Sequence, residues 1–269
     1  MEATSIYHEL LAKYLFDEGY QVSVTNPARA RYFAQSMSKL NKTDQVDSEV
    51  LARFAMTANL HFWQPLPKHI QLLNALLDRR AVLCEDLQRE KNRLEKAEST
   101  FTMEPVLQSL HKSIEQLNKH IQGIDQQIDD HIDQNPDLKN DKELLSSIPA
   151  IADRTSLLML SFFSFLRSHT FERASQAAAF VGLVPTQKQS GSSIHGRSHL
   201  SKAGSSKIRA GLYMAAIVAT RHNPHIKGMN ERLLANGKTK MMAIGAAMRK
   251  LVHLCYGVLK HQQHYQADY

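Results

Sequence analysis

Apolar residues at helical spacing dominate the chain. Ile6, Leu10, Leu11, Tyr14 and Leu15 recur within Ser5 to Phe16, and Gly19 ends the run. Tyr20 to Val24 then alternates like a strand before Asn26-Pro27. A second helix is expected through Arg31 to Met37. A third begins near Asp44 and carries Val50, Leu51, Phe54 and Ala55. This is an α/β rhythm with a single strand. A strand needs partners, so residues 1–64 read as the back half of an α/β domain whose opening strands lie ahead of Met1.

Pro65 and Pro67 mark a turn, and a long helix follows from about His69 to Ala97 with Leu73, Leu76, Leu83, Leu87 and Leu94 on one side. After Pro105, the residues Leu107, Leu110, Ile114, Leu117, Ile121, Ile124 and Ile128 alternate steps of three and four, which is a heptad seam. Residues 65–138 therefore read as a helical coiled-coil arm. An antiparallel hairpin, mating with another subunit, or a spacer within one globule would each satisfy the pattern. Asn135-Pro136-Asp137 ends it. Residues 139–269 read as an all-helical domain, with helices at Arg154 to Leu166, Ser175 to Val181, Lys207 to Arg221 and Met241 to Lys260. Short helical turns are expected between His222-Asn223-Pro224 and Asn236-Gly237. The fold class is mostly α.

One stretch breaks the pattern. Gln187 to Arg209 holds seven serines, three glycines, two histidines and five Lys/Arg residues with almost nothing apolar. It cannot form a core. Glycine permits close backbone approach, and hydroxyls with basic side chains are groups that hold phosphates. From Arg173 to Asn230 there is no Asp or Glu, while Arg173, Lys188, Arg197, Lys202, Lys207, Arg209, Arg221 and Lys227 fall inside. A solvated face would mix both signs, so nucleic acid is the expected partner. Contacts are assigned to Lys188, Ser192, Ser193, Arg197, Ser201, Lys202, Lys207 and Arg209. The net charge of +7 agrees with a polyanionic partner.

Composition narrows the setting. A hydrophobic fraction of 43% supports a core, and two distant cysteines, Cys84 and Cys255, form neither a disulfide framework nor a zinc pattern. The longest apolar stretch, Leu157 to Leu166, is too short to span a bilayer, and no signal peptide is evident. A cytoplasmic, nucleoid-associated protein without a membrane role is expected.

Two kinds of chemistry are open. Asp44 and Asp47 stand three apart at a helix start, and Glu2 falls where a strand would end. Carboxylates converging from separate elements can hold two Mg²⁺ ions about 4 Å apart for phosphoryl transfer. Equally, Asp44 and Asp47 suit an N-cap and a first helical turn. Ser190, Ser192, Ser193, Ser198 and Ser201 are candidate nucleophiles, with His195 and His199 as acid, base or phosphate contacts. Composition does not choose among them.

Four motifs carry a resemblance: Glu2-Ala3-Thr4-Ser5-Ile6-Tyr7; Asn41 through Asp47; Ser190-Gly191-Ser192-Ser193; and Ser201-Lys202-Ala203-Gly204 followed by Leu212-Tyr213-Met214-Ala215. Their order and separation resemble insertion-sequence transposases that join a DEDD, RuvC-like domain to a serine-bearing transposase domain. Pilin-gene invertases are relatives, and some members are guided by a structured bridge RNA. The resemblance implies an RNase H-like remnant, an arm used in homo-oligomeric assembly and a helical transposase domain. It implies that Glu2, Asp44 and Asp47 are Mg²⁺-binding catalytic carboxylates and that Ser190 attacks DNA to form a phosphoserine link. DNA is the implied partner, and a guide RNA is admitted.

The chain departs from that pattern in three places. The family's first Asp precedes Glu2 and is missing, so little autonomous activity is expected. Ser5 replaces a glycine. Ile148-Pro149-Ala150-Ile151-Ala152 replaces Ile-Pro-Gly-Ile-Gly, a hairpin suited to backbone contact with nucleic acid. The alternative is a non-catalytic, nucleic-acid-binding and oligomerising remnant.

Overall fold

A computed structural model describes residues 1–3, 7–39, 43–167, 171–187, 189–190, 194–195 and 198–267, with 165–167, 189–190 and 194–195 described through their backbone alone. The chain divides into two compact units, residues 1–66 and 67–269.

The first unit holds α1 (Tyr7–Asp17), α2 (Pro27–Ser36) and α3 (Asp44–Thr57). Asn26 caps α2 by accepting from the Ala28 N–H, and Pro27 occupies the first turn, where its missing N–H costs nothing. Phe33 and Phe54 meet edge-on at 5.3 Å and join α2 to α3. The strand expected at Tyr20 to Val24 is reduced to an extended segment. Its one β-bridge pairs Thr25 with Glu2 in parallel, supported by Ala3 N–H to Thr25 O and Thr25 N–H to Met1 O, both 2.9 Å. On the other side, the Trp63 N–H donates to Val22 O at 2.7 Å. Helix α1 buries only Ala12 and leaves Tyr7, Leu10, Leu11 and Tyr14 exposed.

The second unit opens with α4 (Lys68–Glu98) and α5 (Glu104–Asp133), a helical hairpin about 45 Å long. The heptad seam of α5 faces α4 of the same chain. Ile121, Ile128 and Ile132 are buried with Ile70, Leu73 and Leu83, whereas Leu107, Leu110, Ile114 and Leu117 stay half-buried. Arg80 grips Asp125 through Nε and Nη2, fixing the hairpin's register, and this bond holds the guanidinium pKa above its ordinary value. Within the hairpin, His131 Nε2 lies 2.8 Å from His69 O, and the hairpin is packed onto the rest of the unit where Ser161 Oγ on α7 lies 2.6 Å from Asn74 Oδ1.

Two expected breaks are each followed at once by a further helix. Pro136 ends α5 and also begins α6 (Pro136–Ser146), while Asn223-Pro224 ends one helix and caps α10 (Pro224–Ala235) through Asn223 Oδ1 and the Ile226 N–H, 3.2 Å apart. The remaining helices are α7 (Asp153–Arg167), α8 (Ala174–Phe180), α9 (Ser206–His222) and α11 (Lys240–His261). By length and composition α11 could cross a membrane, but here it is the central core helix. It buries Ala243, Ala247, Met248, Leu251, Val252, Cys255 and Val258 against neighbouring helices. Burial pushes the Cys255 thiol up to about 12, so it stays protonated.

The domain is not all-helical. Between α8 and α9 the basic serine stretch folds into an antiparallel ribbon. Its base pairs β1 (Pro185–Thr186) with β4 (His199–Leu200), and its outer ladder pairs β2 (Gln189–Ser190) with β3 (Ile194–His195). The two ladders differ in register by one residue.

Two positions test this packing. Ala150, where the resemblance leads one to expect glycine, sits at φ +83 in the turn between α6 and α7. The left-handed conformation costs an L-residue roughly 1–2 kcal/mol, against about 0.4–1 kcal/mol for the extra unfolded-state freedom of glycine. Ala150→Gly is therefore expected to stabilise the second unit by about 0.5–1 kcal/mol, read as a later urea midpoint. Lys142 on α6 bridges Asp153 at 2.9 Å and Asp129 at 3.5 Å. Burial alone would lower its pKa, but the bond to Asp153 and the attraction of both carboxylates outweigh that and raise it. A raised lysine pKa stabilises below the unfolded value of about 10.4 and loses that contribution as pH climbs through the folded value. Lys142→Met is thus expected to lower the midpoint at pH 7, with the gap from the parent closing above pH ~11.

Candidate nucleic-acid interface

The ribbon's base is fixed by a close backbone crossing. Helix α8 ends in a Schellman motif: the Gly182 N–H donates to Ala179 O and the Leu183 N–H to Ala178 O, both 2.9 Å, with Gly182 at φ +79. The returning chain runs directly over this end. Ser201 N–H donates to Val184 O at 2.9 Å and Lys202 N–H to Gly182 O at 3.1 Å, so the pairing continues below β1 and β4. A Cβ on Gly204 would lie 2.0 Å from Phe180 O and 2.7 Å from Val181 C. One on Gly182 would lie 2.8 Å from Ala203 N. Both positions require glycine for space, and Gly182 also for its φ. Lys202 takes φ +54 to complete the crossing.

Arg209, on the first turns of α9, reaches into the same place. Its Nη1 donates to Val181 O at 2.9 Å and to Gly204 O at 2.7 Å. Ser205 caps α9 by accepting from the Ile208 N–H at 3.4 Å. Lys207 leaves the ribbon and pairs with Asp78 of α4. The acid-free run is therefore not acid-free in space, since the hairpin brings a carboxylate to it.

The predicted contact residues separate accordingly. Ser201 is half-buried at the ribbon base, and Lys202 is exposed beside it. Lys207 and Arg209 are engaged as described. Ser190 lies on β2, where its backbone pairs with Ile194. Lys188, Ser192, Ser193 and Arg197 lie outside the described residues. Asp78 and Gly182 were missed by sequence reasoning. A glycine following a short apolar helix is a legible stop signal, whereas nothing local to Asp78 marks it.

The three carboxylates belong to the other unit. Glu2 contributes its backbone to the bridge with Thr25. Asp44 and Asp47 occupy the first turn of α3 behind the Thr43 N-cap, whose Oγ1 accepts from the Val46 N–H at 3.3 Å. There they complement the helix dipole. Among the described residues no three His, Cys, Asp or Glu side chains come together to hold a metal ion. In this structure the three do not form the Mg²⁺ site that the resemblance implies.

Comparison with known proteins places these features in a family. A profile described as the transposase IS116/IS110/IS902 family matches residues 142–230, which include the ribbon, its crossing and α9. A second transposase profile, of the IS110 DEDD type, matches residues 1–100. The pilin gene-inverting protein of Moraxella bovis is 33% identical over 261 residues, covering 97% of this chain and 79% of that protein. Its counterpart from Moraxella lacunata matches to the same extent. An uncharacterized 43.6 kDa protein of insertion element IS110 from Streptomyces coelicolor is 25% identical over 168 residues, 62% of this chain and 40% of that protein. On these matches, the chain belongs to the IS110 family of transposases.

Proposed function

We propose that this chain cleaves and rejoins DNA strands with Ser190 as the nucleophile. Membership of the family supports DNA transposition or recombination as the general activity. The observation that carries the finer reading is the ribbon, which presents Ser190 from a base locked by glycines, within a sequence run that has cations and no carboxylates. Ser190 Oγ forms an ester to a DNA phosphorus while the bond from that phosphorus to one deoxyribose oxygen breaks. The hydroxyl proton ends on that departing oxygen. His195 on β3 and His199 on β4 are the imidazoles of the same ribbon and could relay the proton. One ester replaces another, so resealing needs no added energy source.

Transposases of the DEDD type typically use a divalent metal, and Glu2, Asp44 and Asp47 are this chain's candidates. In this structure the three do not group. The same observation favours a second reading, a DNA-binding and oligomerising protein without autonomous cleavage. Self-assembly through the hairpin is supported by Phe101, Met103 and Val106, exposed at its end. A structured RNA guide and action at the nucleoid belong to the same proposal.

Incubating the purified chain and Ser190→Ala with plasmid DNA and Mg²⁺, then separating under denaturing conditions, distinguishes the readings. A covalent protein–DNA adduct that disappears in Ser190→Ala is expected. Salt-sensitive binding without any adduct would leave the second reading. Binding itself makes a finer forecast. Lys202→Ala is expected to weaken DNA binding and to lower the slope of log affinity against log salt by about one. Lys207→Ala should change both less, because Asp78 already neutralises that cation, and Asp78→Asn should tighten binding.

A further inference from the structure

We propose that Arg209 is a positioning residue for strand cleavage, holding the ribbon that presents Ser190, and is not a phosphate contact. The inference rests on the reading of Ser190 as nucleophile. It begins from where the two hydrogens of Arg209 Nη1 go: one to Val181 O and one to Gly204 O. Those carbonyls belong to different chain segments. Val181 is the C-cap of α8, just before the chain enters the ribbon, and Gly204 lies just after it returns. Arg209 is on α9, so one side chain ties three segments together. A guanidinium suits this role because it is planar, always charged and multiply donating, and a cation at a helix C-terminus complements its dipole.

Leverage explains why the tie matters to chemistry. Ser190 lies five residues beyond Pro185, a reach of at most about 16 Å at strand rise, so a tilt of about 10° at the ribbon's base moves it by up to roughly 3 Å. Misplacing a reacting group by 1 Å can cost on the order of a hundredfold in rate. The base resists such tilt through few bonds: the pairs of β1 with β4, the Thr186 hydroxyl donating to His199 O at 3.0 Å, the Ser201 and Lys202 amides, and Arg209. Helix α8, only seven residues long, gives little rigidity of its own. Gly204, whose Cβ would overlap Phe180 O, belongs to the same lock.

The test compares the full-length parent with Arg209→Lys, Arg209→Gln and Gly204→Ala. It reads DNA affinity and its salt slope, adduct formation rate at saturating DNA, and amide exchange at Ser201 and Lys202 against the α11 core. Loss of the tie is expected to speed exchange at Ser201 and Lys202 by roughly tenfold or more while α11 is unchanged. Adduct formation should slow by roughly tenfold or more with affinity within about twofold. Gly204→Ala, which touches no charge, should reproduce the pattern, and Arg209→Lys should fall between parent and Arg209→Gln. The proposal is overturned if Arg209→Gln weakens binding and lowers the salt slope with exchange unaltered, because Arg209 would then hold phosphate. Equal acceleration throughout α11 also overturns it, since the role would then be general stability. If the parent forms no adduct, the nucleophile reading falls, and the exchange data still decide whether Arg209 holds the ribbon.

Discussion

At Gly204 the backbone passes so close to the end of α8 that a single methyl group would overlap Phe180 O. Much of the second unit's functional geometry depends on that contact. The Schellman turn at Gly182 sends the chain out of α8 into the ribbon, and the crossing brings it back over the point of departure. Because exit and return are adjacent, a segment with few apolar residues is anchored at both ends. It borrows rigidity from the core beneath it, where Val181 and Leu183 are fully buried. The lock is made of backbone contacts and one guanidinium, so it demands particular residues at few positions and leaves the ribbon's sequence free for ligand contact.

Charge in this region has to be read in space. Along the sequence, eight cations run from Arg173 to Lys227 without an acid. In the fold, Lys207 meets Asp78 from a helix more than a hundred residues earlier, and Arg209 turns inward to backbone carbonyls. Exposed ion pairs contribute little stability, so the chief effect of Asp78 is to lower the local field. Among the described residues nominated from sequence, Lys202 is the cation left for a polyanion.

Helices were the legible part of the fold. Periodicity located α4, α5, α9 and α11 to within a few residues, because each buries one continuous face. It missed α6 and foresaw only short helical turns where α10 runs, since Pro136 and Pro224 each close one helix and open the next, and from sequence the closing is the more visible. The ribbon was illegible for a different reason. Its strands are two residues long, too short to carry a period-two signal. The candidate site was half legible: glycine, serine and charge singled out the stretch that holds the ribbon, whereas the clamp by Arg209 could not be read from them. A basic residue in a basic run looks like its neighbours until its acceptors are known.

The two units also differ in what their unusual residues accomplish locally. Asp44 and Asp47 are accounted for by the helix they begin, which needs an N-cap and acidic first-turn residues whatever else they do. Nothing about α3 requires a further role. The ribbon base is the opposite case. Gly204 forbids any side chain, Gly182 and Lys202 take positive φ, and of the ribbon's described side chains Leu200 rests against α11 at Gly245. Backbone conformations of this cost persist where surrounding contacts over-determine them, and a fold has no use of its own for a polar projection held so firmly. The positive φ of Lys202 and the close crossing at Gly204 therefore point to a use beyond folding for the ribbon that carries Ser190.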